Sequence, residues 1–356
     1  MSVVDRDISE DLVLRVRQAR ESGAGIVIQG GGTKGFYGGL GDGEPLAITG
    51  HCGIVNYEPT ELVVTARAGT CLTEIEATLQ EHGQMLAFEP PRFGAGATIG
   101  GTLACGFSGP RRPFSGSARD FVLGTRIVNG KGELLRFGGE VMKNVAGYDV
   151  SRLMVGALGT LGVIVEVSLK VLPCPAAEIT LAQEHDFGDA LTVMAEVSGK
   201  PYPLSAACHD GTRLFFRLSG AEAAVQAAAK RIGGESIDNG ESFWQSVREH
   251  THQFFAGPGP VWRISVPAAA PAMELAGPWF LDWGGAQRWF RGDHDVVRIR
   301  AAAEASGGHA TAFRDAAPGP EMFHPMPAAA LRLHQALKSA FDPDRILNRN
   351  RLYTGL

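Results

Sequence analysis

With 356 residues, 44% of them apolar, the chain has room for about two domains and a sizeable core. Its 33 basic and 38 acidic side chains leave a net charge of −5, too mild to hold nucleic acid through bulk electrostatics. No apolar run approaches the ~20 residues of a membrane helix, and residues 1–20 are acidic and amphipathic rather than basic-then-apolar like a signal peptide.

Ser9 reads as an N-cap, with Glu10 and Asp11 in the first turn and Leu12, Val13 and Val16 on one face; Gly23 ends that helix. A short strand at 25–29 runs into a first glycine cluster. Residues 62–67 read as another strand, and 73–82 as a helix stopped by Gly83. After a second glycine cluster, 121–128 and 133–137 form a hairpin across Asn129-Gly130-Lys131-Gly132. The β-rich run 162–172 closes on Pro173-Cys174-Pro175, where a domain boundary is expected. Beyond it, Ala-rich helices (221–231, 296–305) alternate with strands (214–218, 261–266), an α+β layer with sheet on one side and helices on the other. A linker at 318–327 and a helix at 328–340 complete the chain. The expected division is 1–173, then a small α+β cap at 174–327, then a segment at 328–356 that returns to the first domain. Cys52, Cys71, Cys105, Cys174 and Cys208 make no CxxC pair, which argues against a zinc ribbon or iron–sulfur cluster and suits a reducing cytoplasm.

Glycine is the outlier, at 47 residues, and its clustering carries the information. Gly30, Gly32 and Gly35 formally match GxGxxG after a strand. A Rossmann site needs a helix to open there, and Gly38, Gly39, Gly41, Gly43 and Pro45 exclude one. Successive glycines instead turn several backbone N–H groups into one concavity and let phosphate oxygens approach the main chain, with Lys34 adding a cation. A flexible turn between strands is the bland alternative. Nearly every residue from 94 to 109 is small, which suits either a large planar ligand or tight helix-on-sheet packing. Gly156, Gly159 and Gly162 then lead into the strand of Val163 and Ile164, as a phosphate site or a plain connection.

In order and register, Gly30-Gly31-Gly32-Thr33, Ala97-Thr98-Ile99-Gly100-Gly101 and Gly159-Thr160-Leu161-Gly162-Val163-Ile164 resemble the FAD domain of the vanillyl-alcohol-oxidase and p-cresol-methylhydroxylase type. The likeness spans 26–173 and returns at 341–351, where Phe341-Asp342-Pro343 leads to Ile346-Leu347-Asn348. Lys143-Asn144-Val145-Ala146-Gly147-Tyr148-Asp149 resembles the branch that oxidises 2-hydroxy acids, and the shortened second half the smaller (E) flavin subunits of bacterial glycolate oxidases. The resemblance implies an α+β fold with a two-subdomain p-cresol-methylhydroxylase-type FAD-binding domain and a small cap. It puts Gly30, Gly31, Gly32, Thr33 and Lys34 on the pyrophosphate. It puts Pro91, Gly100, Gly101, Ala104, Ser108 and Gly109 along the phosphates and the isoalloxazine edge. Val163 and Ile164 would face the adenine, and Asn348 and Arg349 would bring the C-terminus back to the flavin, although Asn348-Arg349-Asn350 stands where relatives more often have Asn-Pro-Gly.

Thr33 occupies the position at which some relatives carry a flavin-linked histidine, so the FAD is expected to be non-covalent. The resemblance also implies a second flavin subunit, an iron–sulfur subunit, glycolate or a similar 2-hydroxy acid as substrate, no metal of its own, and a cytoplasmic location, with attachment to the inner membrane face only through partners. Relatives that work unaided carry a His-x-Gly-Asp-Gly-Asn-x-His segment. The nearest string here, Arg291-Gly292-Asp293-His294-Asp295, lacks the histidine pair, so no catalytic residue is assigned and the substrate base is expected on a partner. The remaining readings are a self-sufficient dehydrogenase of another small 2-hydroxy acid and a scaffold with an inert flavin. His250 and His252 are expected on a polar surface, His209-Asp210 at a structural or solvated turn, and Arg263, Arg288, Arg291 and Arg298 either on a substrate carboxylate or, the favoured reading, on the solvated surface.

Overall fold

The computed structural model describes residues 5–139, 148–292, 294–315 and 322–356. Lys143 to Gly147 of the 2-hydroxy-acid motif, Asp293 and residues 318–321 of the expected linker lie outside them.

The first helix, Ser9–Ser22, buries Leu12 and Val16 and ends on Gly23 in the left-handed conformation. Its cap lies earlier than expected: the Asp7 carboxylate accepts the Ser9 N–H at 2.8 Å, and Ser9 is already helical. A five-stranded antiparallel sheet runs in the order Ile54–Glu58, Val63–Arg67, Val163–Lys170, Val122–Val128, Leu134–Gly138. Its central strand, Val163–Lys170, is buried along all but its last residue, and its two buried polar side chains are partnered, Glu166 by Arg126 and Ser168 by Thr65.

Ile26–Gln29 pairs in parallel with Glu44–Ala47. A glycine-rich turn makes that crossover with no helix in it, so Rossmann geometry is absent. The C-terminal segment flanks the same strand. Ile26 N–H donates to the Ile346 carbonyl at 2.7 Å, and Asn348 N–H to the Ile26 carbonyl at 2.8 Å.

The second layer is an eight-stranded antiparallel sheet built from 177–314. Alternation along its strands sorts the side chains by face. Leu214, Phe216 and Leu218 pack under Phe187–Ser198 and Glu222–Ile232, while Trp262, Ile264, Ala310 and Ala312 share a core with Ile299 and Ala303 of Val296–Ala305. The opposite face, with Arg217, Asp282, Gln287, Trp289 and Arg263, turns toward the first domain. Glu89 is gripped there by Arg111 at 3.2 Å and Arg217 at 2.8 Å, and Arg111 also reaches Glu178 at 3.0 Å. The Glu249 carboxylate accepts the N–H groups of Arg92 at 3.0 Å and Phe93 at 2.9 Å. Among the described residues no helix is long and apolar enough to cross a membrane.

Candidate flavin site

The three glycine clusters surround one cavity of about 390 Å³, within the ~300–1,000 Å³ typical of small-molecule and cofactor sites. Gly30, Gly31, Gly32, Thr33 and Lys34 form one wall; Gly100, Gly101 and Ala104 form another. Gly159, Gly162 and Ile164 supply a third, and Asn348 and Arg351 close the end. Bare backbone is what allows the walls to meet. A Cβ on Gly31 would lie 1.5 Å from the Gly96 carbonyl oxygen, so the first loop rests directly on the second. Gly159 has φ +72°, and a Cβ there would stand 2.6 Å from the Asn348 amide nitrogen.

Two cations border this cavity, Lys34 and Arg351, which matches the two negative charges of a dinucleotide pyrophosphate. Lys34 is buried, with its ammonium 3.2 Å from the Arg92 carbonyl, and that burial lowers its pKa. Burial pushes the Cys105 thiol up to about 11 against the pull of Lys34 and Arg351. It therefore stays protonated near neutrality and is a weak nucleophile. Facing glycines, a flanking cation pair and apolar walls from Ile28, Ile48, Leu158 and Ile164 fit an FAD molecule.

The structure separates the other expected site residues. Asn348 lines the cavity, but its amide is committed to the protein: Oδ1 accepts the Ile28 N–H at 2.7 Å and Nδ2 donates to the Leu158 carbonyl at 2.5 Å. Arg349 points elsewhere, donating to the Arg345 and Gly23 carbonyls, and Arg351 stands at the wall instead. Val163 is fully buried in the sheet, leaving its neighbour Ile164 on the cavity. Pro91, Ser108 and Gly109 line a second, narrower pocket between the first domain and the cap.

That second pocket went unanticipated. Its cap side holds Arg263, Asp282, Gln287, Trp289 and His250. Two sequence expectations are corrected here, for His250 and for Arg288 and Arg291, while His209 takes the structural of its two expected roles. His250 is no surface residue: it stacks on Phe255 with ring centroids 4.0 Å apart, and burial, then Arg314 and Arg263, depress its pKa well below the usual value. His209 is wholly buried, its Nε2 2.9 Å from the His185 carbonyl, a structural role. Arg288 and Arg291 are buried on carbonyl oxygens (Gly285 and Pro271 for Arg288, Phe254 and Gly259 for Arg291), and Arg263 borders the pocket. Among the described residues no cluster of His, Cys, Asp and Glu could hold a metal.

Burial raises Asp282 to about 7, with Glu89 adding to the rise and the Trp283 N–H, Arg217 and Arg263 opposing it. A carboxyl whose folded pKa lies above its unfolded ~3.9 stabilises the fold most at low pH, and that contribution fades as pH rises through 7. Asp282→Asn keeps an acceptor for Trp283 N–H and does not titrate. Relative to the parent protein it should gain stability between about pH 4 and 8, by up to ~4 kcal/mol. Urea midpoints across that range measure the difference, and a flat difference curve would refute the assignment.

Comparison with known proteins places these features in context. A family model described as an FAD binding domain matches residues 3–138. The chain is 49% identical over 350 residues to the Escherichia coli glycolate oxidase subunit GlcE, covering 98% of this chain and 99% of that protein. It is 31% identical over 182 residues to a D-lactate dehydrogenase of Anaerostipes hadrus, and 29% over 181 residues to the glycolate oxidase subunit GlcD of Bacillus subtilis. Each of those matches covers 50% of this chain and 38% of the relative. Among solved structures, an alkyldihydroxyacetonephosphate synthase superposes with a TM-score of 0.68 at 16% identity, covering 97% of this chain and 75% of that one; the fold is shared.

Proposed function

The chain belongs to the family of the glycolate oxidase subunit GlcE, and we propose that it is the FAD-binding subunit of an oxidase of that kind, converting glycolate to glyoxylate and passing electrons to an acceptor other than oxygen. The observation that carries this reading is the end-to-end likeness to that subunit, joined to a cavity whose walls suit a dinucleotide. Bound FAD supplies the two-electron acceptor. The residues of this chain bind and orient it. Gly30 to Gly32, Lys34 and Arg351 take the pyrophosphate, Gly100, Gly101 and Ala104 leave room along it, and Ile164 borders the adenine.

The partners in this proposal are a second flavin subunit, carrying the substrate base, and an iron–sulfur subunit that accepts electrons. Purified under native conditions, the tagged chain should bring down both partners, and glycolate added anaerobically should bleach the flavin of the assembly. An assembly whose flavin stays oxidised would sink the reading.

The cofactor itself should be releasable. Thr33 offers no nitrogen for a covalent bond to the flavin, and the Cys105 thiol stays protonated. One FAD per chain should appear in the supernatant after acid precipitation, and yellow colour retained by the pellet would refute non-covalent binding.

A further inference from the structure

The cation of the first glycine loop is held from across the molecule. Lys34 is 7% exposed, and its ammonium lies 3.2 Å from the Arg92 carbonyl and 3.4 Å from Thr33 Oγ1. An ammonium has three donors, so these contacts leave one for a phosphate oxygen in the cavity. The Arg92 carbonyl is itself fixed. Its neighbour Phe93 has φ +54°, a costly conformation for a bulky side chain that persists only where the surroundings impose it. Here the cap imposes it: Glu249 Oε2 accepts the Arg92 N–H at 3.0 Å and the Phe93 N–H at 2.9 Å. The Phe93 ring packs edge-on against Phe36 with centroids 5.7 Å apart, and the Arg314 guanidinium lies 4.6 Å from its centre.

Glu249 does nothing for its own helix. It is the last residue of Gly240–Glu249, where a carboxylate meets the negative end of the helix dipole. Arg248, 2.9 Å away, relieves part of that conflict. The helix is firmly mounted all the same. Trp244 and Val247 are buried in the cap core, and the Trp244 indole N–H donates to Thr180 Oγ1 at 3.0 Å. The carboxylate thus stands at the end of a rigid arm that reaches out of the cap and onto the first domain.

We propose that Glu249 is a positioning residue for the cofactor: from the end of a cap helix it fixes the turn at Arg92 and Phe93, and through the Arg92 carbonyl it aims the Lys34 ammonium at the FAD pyrophosphate. Each link is a direct hydrogen bond, so the cap helps to hold the phosphates without touching them. Charge acts along the same line. Burial lowers the pKa of Lys34, and Cys105 and Glu249 oppose that shift. The Cys105 thiol, pushed up to about 11, is uncharged near neutrality, which leaves the Glu249 carboxylate as the counter-charge. The other charged groups nearby, Arg351 on the cavity and Arg314 over Phe93, are cations. Pyrophosphate favours the charged lysine. FAD affinity therefore falls as pH rises through the pKa that Lys34 has before FAD binds, and losing the Glu249 charge brings that fall to lower pH.

Glu249 acts on FAD only if Lys34 takes the pyrophosphate, as proposed above, and the two points are separable. Equilibrium release of FAD from the full chain on dilution, followed by flavin fluorescence, measures affinity, and far-ultraviolet circular dichroism reports folding. Lys34→Met should weaken FAD at least ~10-fold. Glu249→Ala should weaken it ~10-fold as well, yet should add less than ~2-fold in a chain that already carries Lys34→Met. Glu249→Gln keeps an acceptor for both N–H groups and should stay within ~3-fold of the parent near neutral pH. Between about pH 7 and 10 its loss of affinity should begin at lower pH than the parent's, and Lys34→Arg, always charged, should show the shallowest loss. Glu241→Gln, exposed in the first turn of the same helix, should match the parent throughout. If Glu249→Ala does not fold, the pH profile of Glu249→Gln decides alone. An equal effect of Glu249→Ala with and without Lys34, or a Glu249→Gln profile that coincides with the parent's, overturns the link and leaves Lys34 on the pyrophosphate. Full FAD affinity in Lys34→Met overturns both.

Discussion

Replacing Gly31 with valine should strip the protein of FAD while the cap sheet stays folded. The reason lies first in the protein and only then in the ligand. A Cβ at this position would sit 1.5 Å from the Gly96 carbonyl oxygen, far inside van der Waals contact, and the obstacle is backbone that no rotamer change can move aside. The two glycine loops must part, and the wall that Gly30 to Lys34 form around the cavity opens. FAD occupancy after purification should fall below about a tenth, a loss of at least ~1.4 kcal/mol in binding free energy for a ligand near its dissociation constant. Leu333→Ala, on an exposed residue of the last long helix, is the appropriate control and should keep full occupancy. His250 cannot serve as one, because its ring is part of the aromatic stack under the second pocket. Flavin absorbance against protein concentration gives the answer, with far-ultraviolet circular dichroism reporting the fold. A valine variant that stays yellow would mean that residues 30–34 are a plain turn.

The reason the first cavity could be anticipated and the second could not is physical. Where backbone presses on backbone, as at Gly31 against Gly96 and Gly100 against Ala68, or where φ is positive, as at Gly32 and Gly159, glycine is required, and the requirement is written directly into the sequence. The second pocket has no such signature. Its groups come from residues 91–110, 247–250, 263, 282–289 and 313; Arg263, Asp282, Gln287, Trp289 and Phe313 meet through antiparallel register in the cap sheet, and the rest arrive from the first domain and from a helix end. A single sequence does not display which strands pair. His250 misleads for a local reason. It ends the helix Gly240–Glu249 with φ +55°, and that left-handed turn carries its ring inward, where spacing from His252 suggested surface. Arg349 and Arg351 exchange places similarly: Asn348 and Asn350 both have positive φ, 42° and 58°, and the reversal directs Arg351 to the cavity. The strand Val163–Lys170 was easier, since its β-branched and aliphatic residues dominate a run that is buried along nearly its whole length.

The C-terminal clip should be the costliest side chain to remove. Lys338 and Asp342, one turn apart on the last helix, form an ion pair at 2.8 Å with 1% and 0% of their side chains exposed. Lys338 donates to the Thr160 and Leu347 carbonyls, both at 2.8 Å, while Asp342 accepts the N–H groups of Ile346 at 3.1 Å and Leu347 at 2.8 Å. The pair thus ties the third glycine motif to the segment that ends beside Ile26. Burial lowers the pKa of Lys338 despite the opposing pull of Asp342, so its charged form is penalised in the folded state at neutral pH, and stability should rise as the lysine deprotonates at alkaline pH. Lys338→Met keeps the apolar stem but leaves a buried carboxylate without its counter-charge, a change that typically costs ~3–5 kcal/mol. In a domain of this size the melting temperature should drop by roughly 10 °C. FAD affinity should weaken as well, because the Leu158 to Thr160 wall loses its anchor. The double variant Lys338→Met with Asp342→Asn removes both charges and keeps an acceptor for the Ile346 and Leu347 N–H groups. It should recover more than half of the loss, whereas two independent defects would add. If the double variant is as unstable as the sum of the singles, the pair is not coupled, and the clip is held by its backbone hydrogen bonds alone.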